Sequence, residues 1–115
     1  MKFEDLQKQV LDWAEEKDLL KSENVDEQFM KFVEDTFEFK TELDINYVYD
    51  IDSSISYEMK IELGDILVTL VIMSKQLNID LVKCLEMAYD KIKHRNGKTI
   101  NGIFVKSEDL KNERV

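Results

Sequence analysis

Proline is absent from this chain of 115 residues, and glycine occurs only three times. Because these two residues are the strongest breakers of regular structure, their scarcity favours long uninterrupted helices. The one cysteine, Cys84, excludes an intrachain disulfide and resembles a small core residue more than a catalytic thiol. With one histidine in the chain, histidine-rich zinc sites are excluded and a cysteine–histidine dyad is disfavoured.

Basic residues are outnumbered, with 16 lysines and arginines against 25 aspartates and glutamates and a formal net charge of −9. Nucleic-acid-binding proteins usually carry a basic patch, so we expect no nucleic-acid partner. Long apolar runs are missing too, because residues 66–73, the most apolar stretch, fall far short of the roughly 20 needed to span a bilayer. The charged N-terminal segment also lacks a signal-peptide core. We therefore expect a cytoplasmic protein without a membrane partner.

Four segments carry apolar residues at the spacing of an α-helix. We expect helices at about residues 3–17, 26–43, 54–77 and 79–94. The side chains expected to cap their N-termini are those of Asp26, Ser53 or Ser54, and Asp80.

The C-terminal part of the chain has a different pattern. Gly97 is expected to stop the fourth helix. Beyond it, Asn101 and Gly102 separate two short β-prone pieces, which indicates a hairpin. Residues 44–52 are ambiguous between loop, short strand and helix. The sequence therefore predicts one domain over residues 1–115, with an all-α fold: a small helical bundle of about four helices and a short C-terminal hairpin or extended tail.

The third predicted helix is apolar almost all the way round, yet it carries a polar stripe. At ~100° per residue, Glu58, Glu62, Asp65 and Thr69 share one arc about 60° wide. A helix that is apolar on all sides is normally buried, so the stripe should face the interior or a cleft. A buried carboxylate needs a proton, a basic partner or a metal ion. Between Glu62 and Met73 this helix has no lysine or arginine, so a partner must come from elsewhere.

The second predicted helix supplies further carboxylates. Asp35 and Glu38 stand three residues apart and share a face, as Glu62 and Asp65 do. Two such pairs on neighbouring helices would bring four carboxylates together, and hard oxygen ligands suit Mg²⁺ or Mn²⁺. The alternative is an ordinary solvated acidic face, which fits Asp35 and Glu38 better than the pair in the apolar run. We interpret the four residues as a metal site.

The acidic residues also follow a recognisable order. Glu34-Asp35-x-x-Glu38 is followed, after 23 residues, by Glu62-x-x-Asp65. This order resembles the MazG-like nucleotide pyrophosphohydrolases, whose hallmark is E-E-x-x-E and then E-x-x-D; here aspartate stands at the second position, where the family usually has glutamate. The likeness covers most of the chain, including "QFMKFVED", "ELGDILVTL" and "AYDKIKHRNGKTINGIFVK". It is strongest to the short, single-domain members from bacteria and their phages.

The resemblance implies an all-α enzyme that hydrolyses (deoxy)nucleoside triphosphates to monophosphates and pyrophosphate, with the clearing of unwanted nucleotides as its role. By the family pattern the Mg²⁺ or Mn²⁺ ligands are Asp35, Glu38, Glu62 and Asp65. The same pattern leaves Glu34 to orient or deprotonate the attacking water. It also implies a homodimer or homotetramer with active sites at the subunit interfaces.

Three basic residues and one aromatic residue could bind the substrate. Lys91 and Arg95, four residues apart, could hold the β and γ phosphates, as the resemblance supports, or could be ordinary cations at a helix C-terminus. Lys31 stands at the family's usual spacing before the first acidic motif and could reach phosphate or pair with an acid. Trp13 could stack on a base or belong to the core.

Two other functions fit the same residues. One is a related phosphatase specific for a pyrimidine deoxynucleotide such as dUTP or dCTP. The other is a catalytically silent interaction module that keeps the acidic cluster for structure or for antitoxin-like binding. The sequence does not decide the base preference.

Overall fold

The computed structural model describes residues 1–48 and 55–112. The described residues form five α-helices: α1 (Phe3–Glu16), α2 (Val25–Leu43), α3 (Tyr57–Gln76), α4 (Leu81–Ile92) and α5 (Ser107–Asn112). Strands β1 (Gly97–Ile100) and β2 (Ile103–Lys106) form one antiparallel hairpin. The predicted fold class, a small helical protein with a C-terminal hairpin, is confirmed. None of the described helices combines the length and the apolarity that crossing a bilayer would require.

The chain divides into two compact units, Met1–Leu81 and Val82–Val115. In the first unit, both α1 and α2 pack against α3, which is therefore the central helix. In the second unit, α5 packs against both strands of the hairpin, and none of the unit's described residues is fully buried. The buried apolar residues of the first unit are Ala14, Met59, Val71 and Ile72.

Helices α1 and α3 end in the same way, and neither uses glycine. Asp18 and Asn78, with φ of 59° and 56°, adopt the left-handed conformation just beyond each helix. The next N–H group, of Leu19 or Ile79, donates to a carbonyl five residues earlier, at 2.9 and 2.8 Å. Short polar side chains tolerate this conformation better than most residues. The reversal after α1 is what turns Leu19 back toward the core of the first unit.

Helix α3 begins later than predicted. Its first residue is Tyr57, and the hydroxyl of Ser56 accepts a hydrogen bond from the Met59 N–H at 3.1 Å. The cap is therefore Ser56, a residue type that favours this position because it satisfies an otherwise unpaired N–H group. The predicted caps Ser53 and Ser54 lie outside the described residues.

The predicted cap of α2 is wrong. The helix begins at Val25 after Asn24, whose side chain makes no capping hydrogen bond. Asp26 lies instead within the first turn, where its negative charge interacts favourably with the positive end of the helix dipole. At the other end of α2, the ambiguous segment starts as a π-helical turn, Asp44–Val48, and residues 49–52 lie outside the described residues.

Gly97 does not stop a helix, contrary to the prediction. Helix α4 ends at Ile92, and Gly97 is the first residue of β1. A Cβ atom at this position would overlap the carbonyl oxygen of Val105 and lie 2.8 Å from the ring of Phe104. Glycine is therefore required here because the partner strand approaches this position closely. The requirement comes from β2, and not from the neighbours of Gly97 along the chain.

The predicted hairpin itself is confirmed. Asn101 and Gly102 connect the strands with φ of 52° and 80°, the left-handed pair that a two-residue turn of type I′ requires. The tail beyond the hairpin is helical rather than extended. Its first residue, Ser107, donates its N–H to the Asn96 carbonyl at 2.8 Å, which ties α5 to the start of the hairpin.

Several apolar side chains expected in the core are exposed. On α3, Leu63 and Leu67 are 50% and 47% exposed, because α1 and α2 cover only part of this helix within the described first unit. The expectation that α3 is buried on all sides is therefore wrong. On α4, Leu85 and Tyr89 are exposed, and Cys84 is half-buried.

Candidate active site

The packing of α2 against α3 brings the two acidic pairs into one region. Asp35 is only 2% exposed, although it is an aspartate on an otherwise accessible helix. Glu62 and Asp65 are half-buried on α3, and Glu38 is exposed. Because i and i+3 lie on one face of a helix, each helix presents its pair as a unit.

Of these four acids, Glu62 is the one whose negative charge is least neutralised by its surroundings. Burial raises the pKa of its carboxyl group, and the charge of Glu38 and a hydrogen bond with it raise the pKa further. Asp65 and Asp35 act in the same direction. Its Oε2 atom is buried and has no hydrogen-bond partner within the part of the chain that the structure describes. A buried carboxylate oxygen without a partner calls for a proton, a water molecule or a cation.

Lys31 neutralises the charge of a different acid in the cluster, Asp35. Its Nζ atom lies 3.3 Å from Oδ1 of Asp35 and 3.7 Å from Oε1 of Glu34. The hydrogen bond to Asp35 raises the pKa of Lys31, and the charges of Asp35, Glu34 and Glu38 add to this. Of the two predicted roles for Lys31, the structure therefore contains the pairing with acids. Because its side chain is 53% exposed, this pairing is weak and readily exchanged.

Glu34 does not line the cavity that Asp35, Glu38 and Asp65 line. Its side chain is 60% exposed and faces Lys31. It borders a separate surface depression together with Met30 and Val33. The adjacent Asp35 is buried because successive residues of a helix point about 100° apart.

A cavity of about 470 Å³ adjoins the acidic cluster, bordered by α1, α2 and α3. Three of the predicted ligands, Asp35, Glu38 and Asp65, line its acidic side. Trp13 is 49% exposed and stands in the cavity wall, so the core interpretation of this residue is wrong. The apolar residues of the wall are Trp13, Leu19, Val68 and Ile72.

Two polar residues of the cavity had no role assigned from sequence. Gln28 is half-buried and lies three residues before Lys31 on α2. Thr69 is 3% exposed and lies four residues after Asp65 on α3. Both positions share a helix face with a predicted site residue, and this spacing is the signal by which they could have been found.

Gln76 holds the apolar wall in place from the other end of α3. Its Nε2 group donates to the Leu19 carbonyl at 2.8 Å, across 57 residues of sequence. Gln76 is buried, and its Oε1 atom has no partner within the described residues. This bond fixes the segment after α1 against α3. No feature of the sequence predicts it.

The four carboxylates are the type of ligand that a hard divalent cation binds, although their oxygens are not arranged around one common position. In residues 1–48 and 55–112, no three acidic, histidine or cysteine side chains stand where they could hold one ion together. Asp35 is paired with Lys31, and Glu62 with Glu38. All four donors are carboxylates, as Mg²⁺ and Mn²⁺ prefer, and the Glu62 oxygen is unsatisfied.

The predicted phosphate-binding residues belong to the second unit. Lys91 and Arg95 line a cavity of about 280 Å³ there, together with Lys106 and Ser107. Glu108 also lines it, so the cavity is not purely basic. Lys106 was missed in the sequence because it is the last residue of strand β2 and joins the other two cations only through the fold.

A comparison of the chain with known protein families, with curated proteins and with solved structures finds no match. The function is therefore inferred from the motif order and from the geometry and charge of this site.

Proposed function

We propose that this protein is a Mg²⁺-dependent nucleoside triphosphate pyrophosphohydrolase of the MazG-like type, with nucleotide-pool clearance as its role. The reaction converts a (deoxy)nucleoside triphosphate to the monophosphate and pyrophosphate. The observation that supports it most is the meeting of two i,i+3 acidic pairs beside a cavity. Asp35, Glu38 and Asp65 line this cavity, and Glu62 lies within hydrogen-bonding reach of Glu38.

In this proposal Asp35, Glu38, Glu62 and Asp65 hold Mg²⁺, or Mn²⁺, through their carboxylate oxygens. When bound, the ion neutralises polyphosphate charge and lowers the pKa of a bound water. The crowding of these carboxylates favours uptake of a cation, because their mutual repulsion is relieved by it. Phosphoryl chemistry needs positioning and charge neutralisation more than a covalent nucleophile, which suits a site built from acids.

Glu34 and Lys31 complete the chemistry on α2. Water attacks the α phosphorus, the bond to the bridging oxygen of the β phosphate breaks, and pyrophosphate leaves. Glu34 orients the water and accepts its proton, which requires the exposed side chain to turn from Lys31 toward the cavity. Lys31 can then exchange its weak pairing with Asp35 for a phosphate oxygen.

Three further residues make the remaining substrate contacts in this proposal. Lys91 and Arg95 hold the β and γ phosphates, within one chain or across a subunit interface. Trp13, in the wall of the larger cavity, stacks on the base. The acidic side of that cavity would then face the phosphates, and its apolar side the nucleoside.

We propose that the protein acts as a homodimer or homotetramer in the cytoplasm. Exposed apolar residues on α3 and on α4, such as Leu67 and Leu85, support burial against further copies. The net charge of −9 supports the absence of a nucleic-acid partner.

The proposed reaction is tested by product analysis. The purified protein is incubated with Mg²⁺ and each of the ribo- and deoxyribonucleoside triphosphates, and the products are separated by ion chromatography. We expect monophosphate and pyrophosphate in equal amounts from at least one nucleotide. Diphosphate and orthophosphate would contradict the proposed cleavage site. Turnover confined to dUTP or dCTP would identify the pyrimidine-specific alternative, and no turnover with any nucleotide would favour a silent interaction module.

A further inference from the structure

The cavity of the second unit is lined by three positively charged side chains. Lys91 comes from α4, Arg95 from the turn that follows α4, and Lys106 from the end of β2. The other residues that line it are His94, Asn96, Ser107 and Glu108. Glu108 is the one acid in this lining, so positive charge predominates here although the net charge of the chain is −9.

These three cations are not neutralised by the protein itself. None of them forms an ion pair with a residue in the described ranges, 1–48 and 55–112. By contrast, Lys93, which also stands near the end of α4, has its Nζ atom 2.9 Å from Oδ1 of Asp90. Like charges held close together repel each other. An anion bound among the three cations relieves this repulsion.

The register of the hairpin brings the third cation to the other two. Lys106 lies opposite Gly97 in the antiparallel pairing, and Gly97 is only two residues beyond Arg95. The next residue, Ser107, donates its N–H to the Asn96 carbonyl at 2.8 Å. Backbone contacts therefore fix the position of Lys106. Lys98 lies on the opposite face of the hairpin, because side chains alternate along a strand, and it does not line the cavity.

The size of the cavity restricts the anion. Its volume of about 280 Å³ falls just below the usual range of small-molecule sites, roughly 300–1,000 Å³. This volume suits a diphosphate group better than a whole nucleotide. Two joined phosphoryl groups also carry more negative charge and more acceptor oxygens than orthophosphate, and so match three cations better.

We infer that Lys106 is a phosphate-binding residue, and that with Lys91 and Arg95 it forms a site for pyrophosphate that needs no metal ion. This inference rests on the function proposed above, whose reaction is the source of the pyrophosphate. It adds Lys106 to the residues that hold the β and γ phosphates. Glu108 opposes the binding, because its negative charge lines the same cavity.

The test measures anion binding in the absence of metal ions. The protein is titrated with pyrophosphate, and separately with orthophosphate, in EDTA at pH 7.5 and low salt, and calorimetry gives the dissociation constants. We expect pyrophosphate to bind about fivefold more tightly, the ratio that one further charge-assisted contact supports at a solvent-exposed site. In ¹H–¹⁵N spectra of the same samples, the backbone signals of residues 95–98 and 106–108 should shift.

Three variants separate a local site from the effect of net charge. Lys106→Gln should weaken pyrophosphate binding about fivefold. Lys98→Gln changes the net charge of the chain equally on the other face of the hairpin, and it should leave the dissociation constant unchanged. Glu108→Gln should tighten binding about twofold to threefold, because it removes the negative charge from the cavity. Thermal unfolding checks that each variant is folded.

Each outcome bears on the inference. No pyrophosphate binding by the wild type, equal binding of orthophosphate, or a loss in Lys98→Gln as large as that in Lys106→Gln would overturn it. The expected pattern in a protein that hydrolyses no triphosphate would support the site and overturn only the proposed function. Hydrolysis by a protein whose Lys106→Gln variant binds pyrophosphate like the wild type would overturn the inference and leave the proposed function standing.

Discussion

Replacing Glu38 by glutamine is expected to lower the rate of pyrophosphate release by at least about 100-fold. The amide removes one negative ligand from the cluster and leaves the shape of the side chain unchanged. Because Glu38 is exposed, the fold should tolerate the change. Loss of the Glu38 charge should even relieve Glu62, whose pKa is raised first by burial and then by Glu38. Steady-state pyrophosphate release in Mg²⁺ measures the effect, and circular dichroism checks the helices.

The matched control for this variant lies on the same helix. Asp26 is also exposed on α2, in its first turn, and Asp26→Asn likewise removes one negative charge from the chain at a position outside the acidic cluster. It should retain the wild-type rate. A Glu38→Gln protein that releases pyrophosphate as fast as the control would show that this carboxylate is not a ligand.

Replacing Glu62 by glutamine is expected to stabilise the metal-free protein at neutral pH while it abolishes activity. The folded chain raises the pKa of Glu62 through burial and neighbouring carboxylates, so it holds the proton more tightly than the unfolded chain does. Below the unfolded pKa the group is protonated in both states and has no effect. As the pH rises through the folded pKa, ionisation destabilises the fold, and the full penalty persists above it. Glutamine has no such penalty.

Thermal unfolding in EDTA measures this effect. At pH 7.5, Glu62→Gln should melt a few degrees above the wild type, and near pH 4 the two should melt at about the same temperature. Millimolar Mg²⁺ should raise the melting temperature of the wild type but not of the variant. Glu58→Gln, at an exposed position one turn earlier on α3, should behave as the wild type. A variant that is less stable than the wild type at pH 7.5 in EDTA would contradict this reading of Glu62.

Much of the fold follows from local patterns in the sequence. The apolar spacing from Phe3 onward predicts α1 to within one residue, because the faces of a helix are set by neighbours along the chain. The turn at Asn101 and Gly102 is equally local, since the left-handed conformation is a property of those two residues. Helix starts were less accurate, because several polar residues near each start can cap: at α3 the cap is Ser56.

What the sequence could not predict depends on contacts between distant residues. Gly97 looked like a helix stop, and only the carbonyl of Val105 across the hairpin shows why it is glycine. The bond from Gln76 to the Leu19 carbonyl joins residues 57 positions apart. Contacts between residues so far apart in sequence produce no periodic pattern along the chain.

In the candidate site, too, the features set by local spacing were predictable and those set by distant contacts were not. Its four carboxylates were predicted as metal ligands from their i,i+3 spacing, which fixes a shared face, and from the order of the acidic motif. Which neighbour on α2 is buried was not predictable, since Glu34 and Asp35 carry the same charge and adjacent positions on a helix point in different directions. The buried hydroxyl of Thr69 was visible in the polar stripe of α3, but its hydrogen bond to Ile66 and its place in the cavity wall required the structure.

The most direct test of the central claim, that these carboxylates hold divalent ions, is a Mn²⁺ titration followed by electron paramagnetic resonance of the unbound ion. We predict that the wild type takes up Mn²⁺ and that Mg²⁺ displaces it. Glu38→Gln and Glu62→Gln should bind Mn²⁺ far more weakly than Asp26→Asn and Glu58→Gln do. A wild-type protein that leaves millimolar Mn²⁺ unbound, or cluster variants that bind it as well as their controls, would contradict the claim.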